Sequence, residues 1–116
     1  MTAKEFYDKI GGNYNEIIGR LMSEDIIPKF CDIFFENDCY QQLLDGMNEK
    51  NVDKAFRAAH TLKGISANMA FTQLTLISSA ITECLRAGDI DGATIIFPKL
   101  KREYEKAEAA YEELKN

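Results

Sequence analysis

A chain of 116 residues with 46% apolar and 28% charged side chains has the length of one compact domain, which should bury roughly two-thirds of its extended surface on folding. That composition excludes collagenous, low-complexity and disordered classes, and at this length no second catalytic domain is expected. Fourteen Lys and Arg against nineteen Asp and Glu give a net charge of -5, which argues against nucleic-acid binding because phosphate backbones are held by concentrated positive surface.

The first periodic segment, Ala3 to Ile10, places Phe6, Tyr7 and Ile10 at helical spacing and stops at Gly11-Gly12, a turn-forming pair. Asn13 is suited to cap a second segment bearing Tyr14, Ile17, Ile18 and Leu21. Ser23 is suited to cap a third with Ile26, Ile27, Phe30, Ile33 and Phe34; Pro28, fifth from that cap, predicts a kink or a delayed start. Asn37 or Asp38 caps a fourth segment with Tyr40, Leu43, Leu44 and Met47, which frays at Asn48-Glu49-Lys50-Asn51.

From Asn51 the residues Ala55, Ala59, Leu62, Ser66 and Met69 recur at steps of three and four, one apolar stripe of a helix whose small residues permit close packing. A break is expected near Asn68 to Phe71, then a helix to Arg86 burying Leu74, Ile77, Ile81 and Leu85 and ended by Gly88. Asp89 caps the last segment, which Pro98 should bend or interrupt, and Leu100, Tyr104, Ala107, Tyr111 and Leu114 form its stripe. With no alternating strand segments or hairpin turns, the expectation is an all-α antiparallel four-helix bundle of up-down type: a single domain over 1–116, with short N-terminal helices at about 3–22 and the bundle at about 24–116.

No apolar run approaches the roughly 18 residues of a membrane span, and the first residues lack the apolar core of a secretory signal, so a cytoplasmic location is expected. Cys31, Cys39 and Cys84 are odd in number, without C-x-x-C spacing, and read as buried structural side chains. The chemical inventory is otherwise thin. There is one histidine, and neither a phosphate-binding glycine loop nor a nucleophile elbow.

His60 lies one residue, about 100 degrees, from the Ala59 stripe, so its ring should reach solvent. Phe56, Lys63, Gly64 and Ala67 share its side of the helix, flanking an imidazole with a cation and a bare backbone. A neutral imidazole offers a nucleophilic nitrogen, and a phosphoryl group placed on it would bring negative charge within reach of Lys63. The plain alternative is a partly exposed helical histidine with no chemical role.

The run Ala59-His60-Thr61-Leu62-Lys63-Gly64, followed by Ser66-Ala67-Asn68-Met69, resembles the signature of histidine-containing phosphotransfer (HPt) domains, and the likeness extends over essentially the whole chain. The resemblance implies a phosphorelay intermediate of two-component signalling, neither kinase nor hydrolase, which takes a phosphoryl group on His60 Nε2 from a receiver-domain aspartate or a kinase and passes it to another receiver. It implies Lys63 as the nearby cation, Gly64 as the gap that admits the receiver, no cofactor of its own, and Mg²⁺ on the partner receiver. Response-regulator receivers or a sensor histidine kinase are the implied partners, with no nucleic acid and no membrane, and the chain is expected to be a monomer. The alternative is an adaptor that binds receiver or kinase domains without being phosphorylated.

Two positions depart from the pattern. Many relatives carry a glutamate or glutamine on the next helix that accepts from imidazole Nδ1, and the matching residue here is Thr82, whose hydroxyl could orient the ring directly or through water. Ala70 stands where a glycine is frequent, a change suited to a helical or bridging backbone but not to a strongly left-handed one. The receiver-docking face is expected to combine Phe56, Ala67 and Met69 or Phe71 with Ser78, Ser79, Thr82 and Arg86 of the following helix.

Overall fold

The computed structural model describes residues 1–116 and consists of helices alone. These are α1 (Ala3–Ile10), α2 (Tyr14–Leu21), α3 (Ile27–Glu36), α4 (Cys39–Asn48), α5 (Val52–Asn68), α6 (Thr72–Arg86) and α7 (Ile90–Lys115). Side-chain caps set most of the starts. Asn13 accepts the Glu16 N–H at 3.0 Å, Asn51 that of Lys54 at 3.1 Å and Asp89 that of Gly92 at 2.9 Å. Thr2 and Glu5 add a reciprocal capping box at α1 that the sequence reading had not singled out.

The Ser23 cap and the Pro98 interruption are corrected, and two alternatives are resolved, to a delayed start at Pro28 and to Asn37 rather than Asp38. Ser23 accepts from the Asp25 N–H at 3.3 Å, but α3 begins only at Ile27, so Pro28 occupies its first turn, where no intrahelical hydrogen bond is lost. Asp38 precedes α4 without a side-chain cap bond, and Asn37 instead accepts from the Cys39 N–H at 2.8 Å. Pro98 does not interrupt α7. Pro98 and Thr94 are both exposed, so the Thr94 carbonyl that loses its N–H partner can be satisfied by water.

Connections of only three residues join α4 to α5, α5 to α6 and α6 to α7, and each of these pairs packs together, as short links between antiparallel neighbours require. The remaining rod of the bundle is broken. Asn37, in an extended conformation, separates α3 from α4; Phe34 and Phe35 of α3 reach Tyr104 and Tyr111 of α7, and Tyr40 of α4 stacks on Tyr104. α1 packs on α7, and its Phe6 and Tyr7 are fully buried in the common core. On α3 only Ile27, Cys31 and Phe34 are buried, while Ile26, Phe30 and Ile33 of the expected apolar face remain exposed.

The core concentrates its aromatic rings around the α5–α6 turn. Phe71 meets Phe34 edge-on at 4.9 Å and Phe6 at 5.9 Å, with Tyr7 at 5.5 Å. The same turn is tied to the N-terminal helices through its backbone. The Tyr7 hydroxyl donates to the Met69 carbonyl at 2.7 Å, the Asn13 N–H to the Ala70 carbonyl at 2.8 Å, and the Gln73 N–H to the Gly11 carbonyl at 3.2 Å. Ala70 adopts φ +57°, in the left-handed region that its side chain had been expected to avoid. Its Cβ costs about 1–2 kcal/mol there, which these surrounding bonds and the burial of Phe71 offset.

Cys31 and Cys39 are buried free thiols, pushed up to about 12 and about 11 by desolvation, and Cys84 is half-buried and free. No helix is long and apolar enough to cross a membrane.

Candidate functional site

The face of α5 that turns inward decides what its other face can present. Ala55, Ala58, Ala59, Leu62 and Ser66 are buried, and a Cβ added to Gly46 of α4 would stand 2.7 Å from the Ala55 backbone nitrogen, so α4 lies close against this stripe. His60, outside the stripe, is exposed, as its register predicts.

Around the imidazole the chain is sparsely furnished. The Phe56 ring lies one turn before it, with centroids 6.0 Å apart and planes tilted by 36°. Lys63 is half-buried and enters no ion pair, so its ammonium is not already neutralised by a carboxylate. At Gly64 a Cβ would meet nothing within 4 Å, which leaves open space over the backbone one turn beyond His60. Ala67 is exposed at the end of the same side.

From α6, the structure brings Arg86 to this face. Its guanidinium carbon stands 5.1 Å from the Phe56 ring centre, and its Nε donates to Glu83 at 3.3 Å. Ser79 is half-buried. Thr82 is fully buried, donates its hydroxyl proton to the Ser78 carbonyl at 2.7 Å and makes no hydrogen bond to His60. Besides Thr82, three further residues expected on a docking surface belong to the interior instead. Met69, Phe71 and Ser78 are buried, the first two because the α5–α6 turn folds inward onto the aromatic cluster.

Two residues of the same side were missed. Arg20 of α2 donates through Nη1 to the carbonyls of Ala67 and Asn68 at 2.7 and 2.9 Å and pairs with Glu16 at 2.9 Å, placing a cation at the negative end of α5. Leu76 of α6 is 59% exposed, and with Arg20, Ala67, Thr72 and Thr75 it lines a hollow of about 190 Å³. Nothing in the spacing of the sequence links position 20 to position 67; only the docking of α2 does so.

An exposed imidazole, an unpaired ammonium three residues on and a bare backbone four residues on form a face that suits nucleophilic attack on a group carried by a docking protein, since nothing encloses a small substrate around His60. The family comparison agrees with this architecture. Residues 34–110 match the family model described as Hpt domain, and the chain belongs to that family. Its members are phosphotransfer carriers of two-component signalling that interact with receiver domains and kinases and have no catalytic activity of their own. No curated protein and no solved structure matches the chain. The matched segment starts at Phe34, so α1, α2 and most of α3, with Arg20 among them, lie outside it.

Proposed function

We propose that this protein is a phosphorelay intermediate whose phosphoacceptor is His60. The observation that carries the reading is the exposed imidazole beside an unpaired Lys63 and the open space at Gly64. The Nε2 lone pair attacks the phosphorus of an aspartyl phosphate on a receiver, the P–O bond to the carboxylate breaks, the P–N bond forms, and Nδ1 keeps its proton. Reversal onto the aspartate of another receiver passes the group on, and a kinase is the alternative donor.

Lys63 partly neutralises the transferred phosphoryl group, and Gly64 lets the partner's active site approach the ring. Mg²⁺ comes with the receiver, and the carrier needs no cofactor of its own. Phe56, Ala67, Ser79 and Arg86 form the receiver interface around the histidine, and the carrier acts as a monomer. Three free thiols favour a reducing compartment, in keeping with the cytoplasm.

The test is transfer of radiolabel from a phosphorylated receiver. Wild type should take up acid-labile, alkali-stable label, His60→Gln none, and Lys63→Ala should label several-fold more slowly with an unchanged helical content. Equal labelling of wild type and His60→Gln would remove the assignment. The second reading, a binding adaptor that is never phosphorylated, is favoured by one observation: Thr82, where many relatives carry the imidazole-orienting acceptor, is fully buried and makes no hydrogen bond to His60. Tight receiver binding with no phosphohistidine would establish that reading.

A further inference from the structure

We propose that Phe56 is the positioning residue of the His60 imidazole, an inference that rests on the phosphoacceptor reading above. His60 makes no hydrogen bond to another side chain, and Thr82, fully buried in α6, makes none to it, so no side-chain hydrogen bond fixes the ring. What stands against it is the Phe56 ring, 6.0 Å away and tilted by 36°.

Phe56 is itself held. It is half-buried, packs against the core and lines a shallow surface hollow with Val52, Leu85 and Arg86. The Arg86 guanidinium, 5.1 Å from its centre, is tethered by Glu83. The imidazole is thus limited by an aromatic plate that α5 supplies one turn earlier and α6 clamps through a cation.

A plate of this kind restricts the ring's rotation and biases Nε2 toward the open side at Gly64. Its electron-rich face also suits the positive charge that the ring holds when Nε2 carries phosphorus and Nδ1 keeps its proton. Arg86 therefore acts on the histidine through Phe56.

Because the chain has a single histidine, its ring nitrogens give unambiguous signals in long-range ¹H–¹⁵N NMR. The full chain is compared as wild type, Phe56→Leu, Phe56→Tyr and Arg86→Gln for tautomer ratio and pH titration of the ring, and for the rate of labelling by phosphoramidate, with the thermal midpoint as a folding check. Phe56→Leu should alter the tautomer ratio and slow labelling about tenfold, as expected when a nucleophile is loosely held. Phe56→Tyr should restore both, and Arg86→Gln, which leaves the buried packing intact, should move both in the same direction by less. Folded Phe56→Leu or Arg86→Gln variants with wild-type ring signals would overturn the proposal whatever the labelling rate. A wild type that takes no label while its ring signals respond to Phe56→Leu would overturn the phosphoacceptor reading and leave the positioning role standing.

Discussion

The two ends of α5's relation to its neighbours are built on opposite rules. At the α5–α6 turn, aromatic rings interlock, backbone groups are matched to the α1–α2 turn, and even Ala70 is held in a left-handed conformation. Around His60, one to three turns earlier, the imidazole is exposed, half-buried Lys63 enters no ion pair, and open space lies over Gly64. The difference teaches how one helix can divide its labour: packing is concentrated at the turn, so the face around His60 can stay bare without unfolding the helix that bears it.

That division is most severely tested at Phe71. Phe71→Ala should lower unfolding free energy by about 3–5 kcal/mol, because a ring packed against Phe6 and Tyr7 of α1 and Phe34 of α3 leaves a cavity they cannot close. Urea denaturation measures it, and a loss under 1 kcal/mol would mean the turn is not the anchor described.

The helical glycines sharpen the contrast. Gly46→Ala drives a methyl into the Ala55 backbone and should cost about 1–3 kcal/mol. Gly64→Ala, placed in open space, should stabilise the helix by roughly 0.5–1 kcal/mol and yet slow transfer from a receiver. Thermal melts paired with labelling rates separate the two effects; a Gly64→Ala variant with full transfer rate would show that the gap is not needed for approach. The smallest effect is expected at Ala70→Gly, which relieves the left-handed strain, loses one buried methyl group and should raise stability by less than about 1 kcal/mol.

Buried phenol and thiol groups give the packed interior a pH dependence. The Tyr40 hydroxyl is pushed up to about 12 and the Cys31 thiol to about 12, both chiefly by desolvation. Because the folded state holds these protons more tightly than the unfolded chain, their contribution is intact below the ordinary tyrosine and thiol ranges and is lost as pH rises toward 12. Unfolding monitored by circular dichroism should therefore begin at strongly alkaline pH, and native Cys31 and Cys39 should resist alkylation at pH 8 while half-buried Cys84 reacts faster.

Periodicity made much of this protein legible. The stripe from Ala55 to Ser66, the caps at Asn13, Asn51 and Asp89, and the outward register of His60 all follow from spacing within one helix, where 100 degrees per residue leaves little freedom. Pro28 delays the start of α3 while Pro98 leaves α7 uninterrupted, because a proline's effect depends on whether the hydrogen bond it removes would have been internal or could pass to water. The docking face was only partly legible. Phe56, Lys63, Gly64 and Ala67 share a helix with His60, but the choice among Ser78, Ser79 and Thr82 turned on how α6 is rolled against α5, and that placed Ser78 and Thr82 inside.

By itself, then, the amino-acid order determined the helices, their inward stripes and the isolated outward histidine, because these depend on neighbours three and four positions apart. Only tertiary structure decided that Arg20 reaches the end of α5, that Phe71 plugs the core, that Ala70 turns left-handed and that Arg86 leans on Phe56. Those pairings join residues brought together by helix docking, and no local period encodes them.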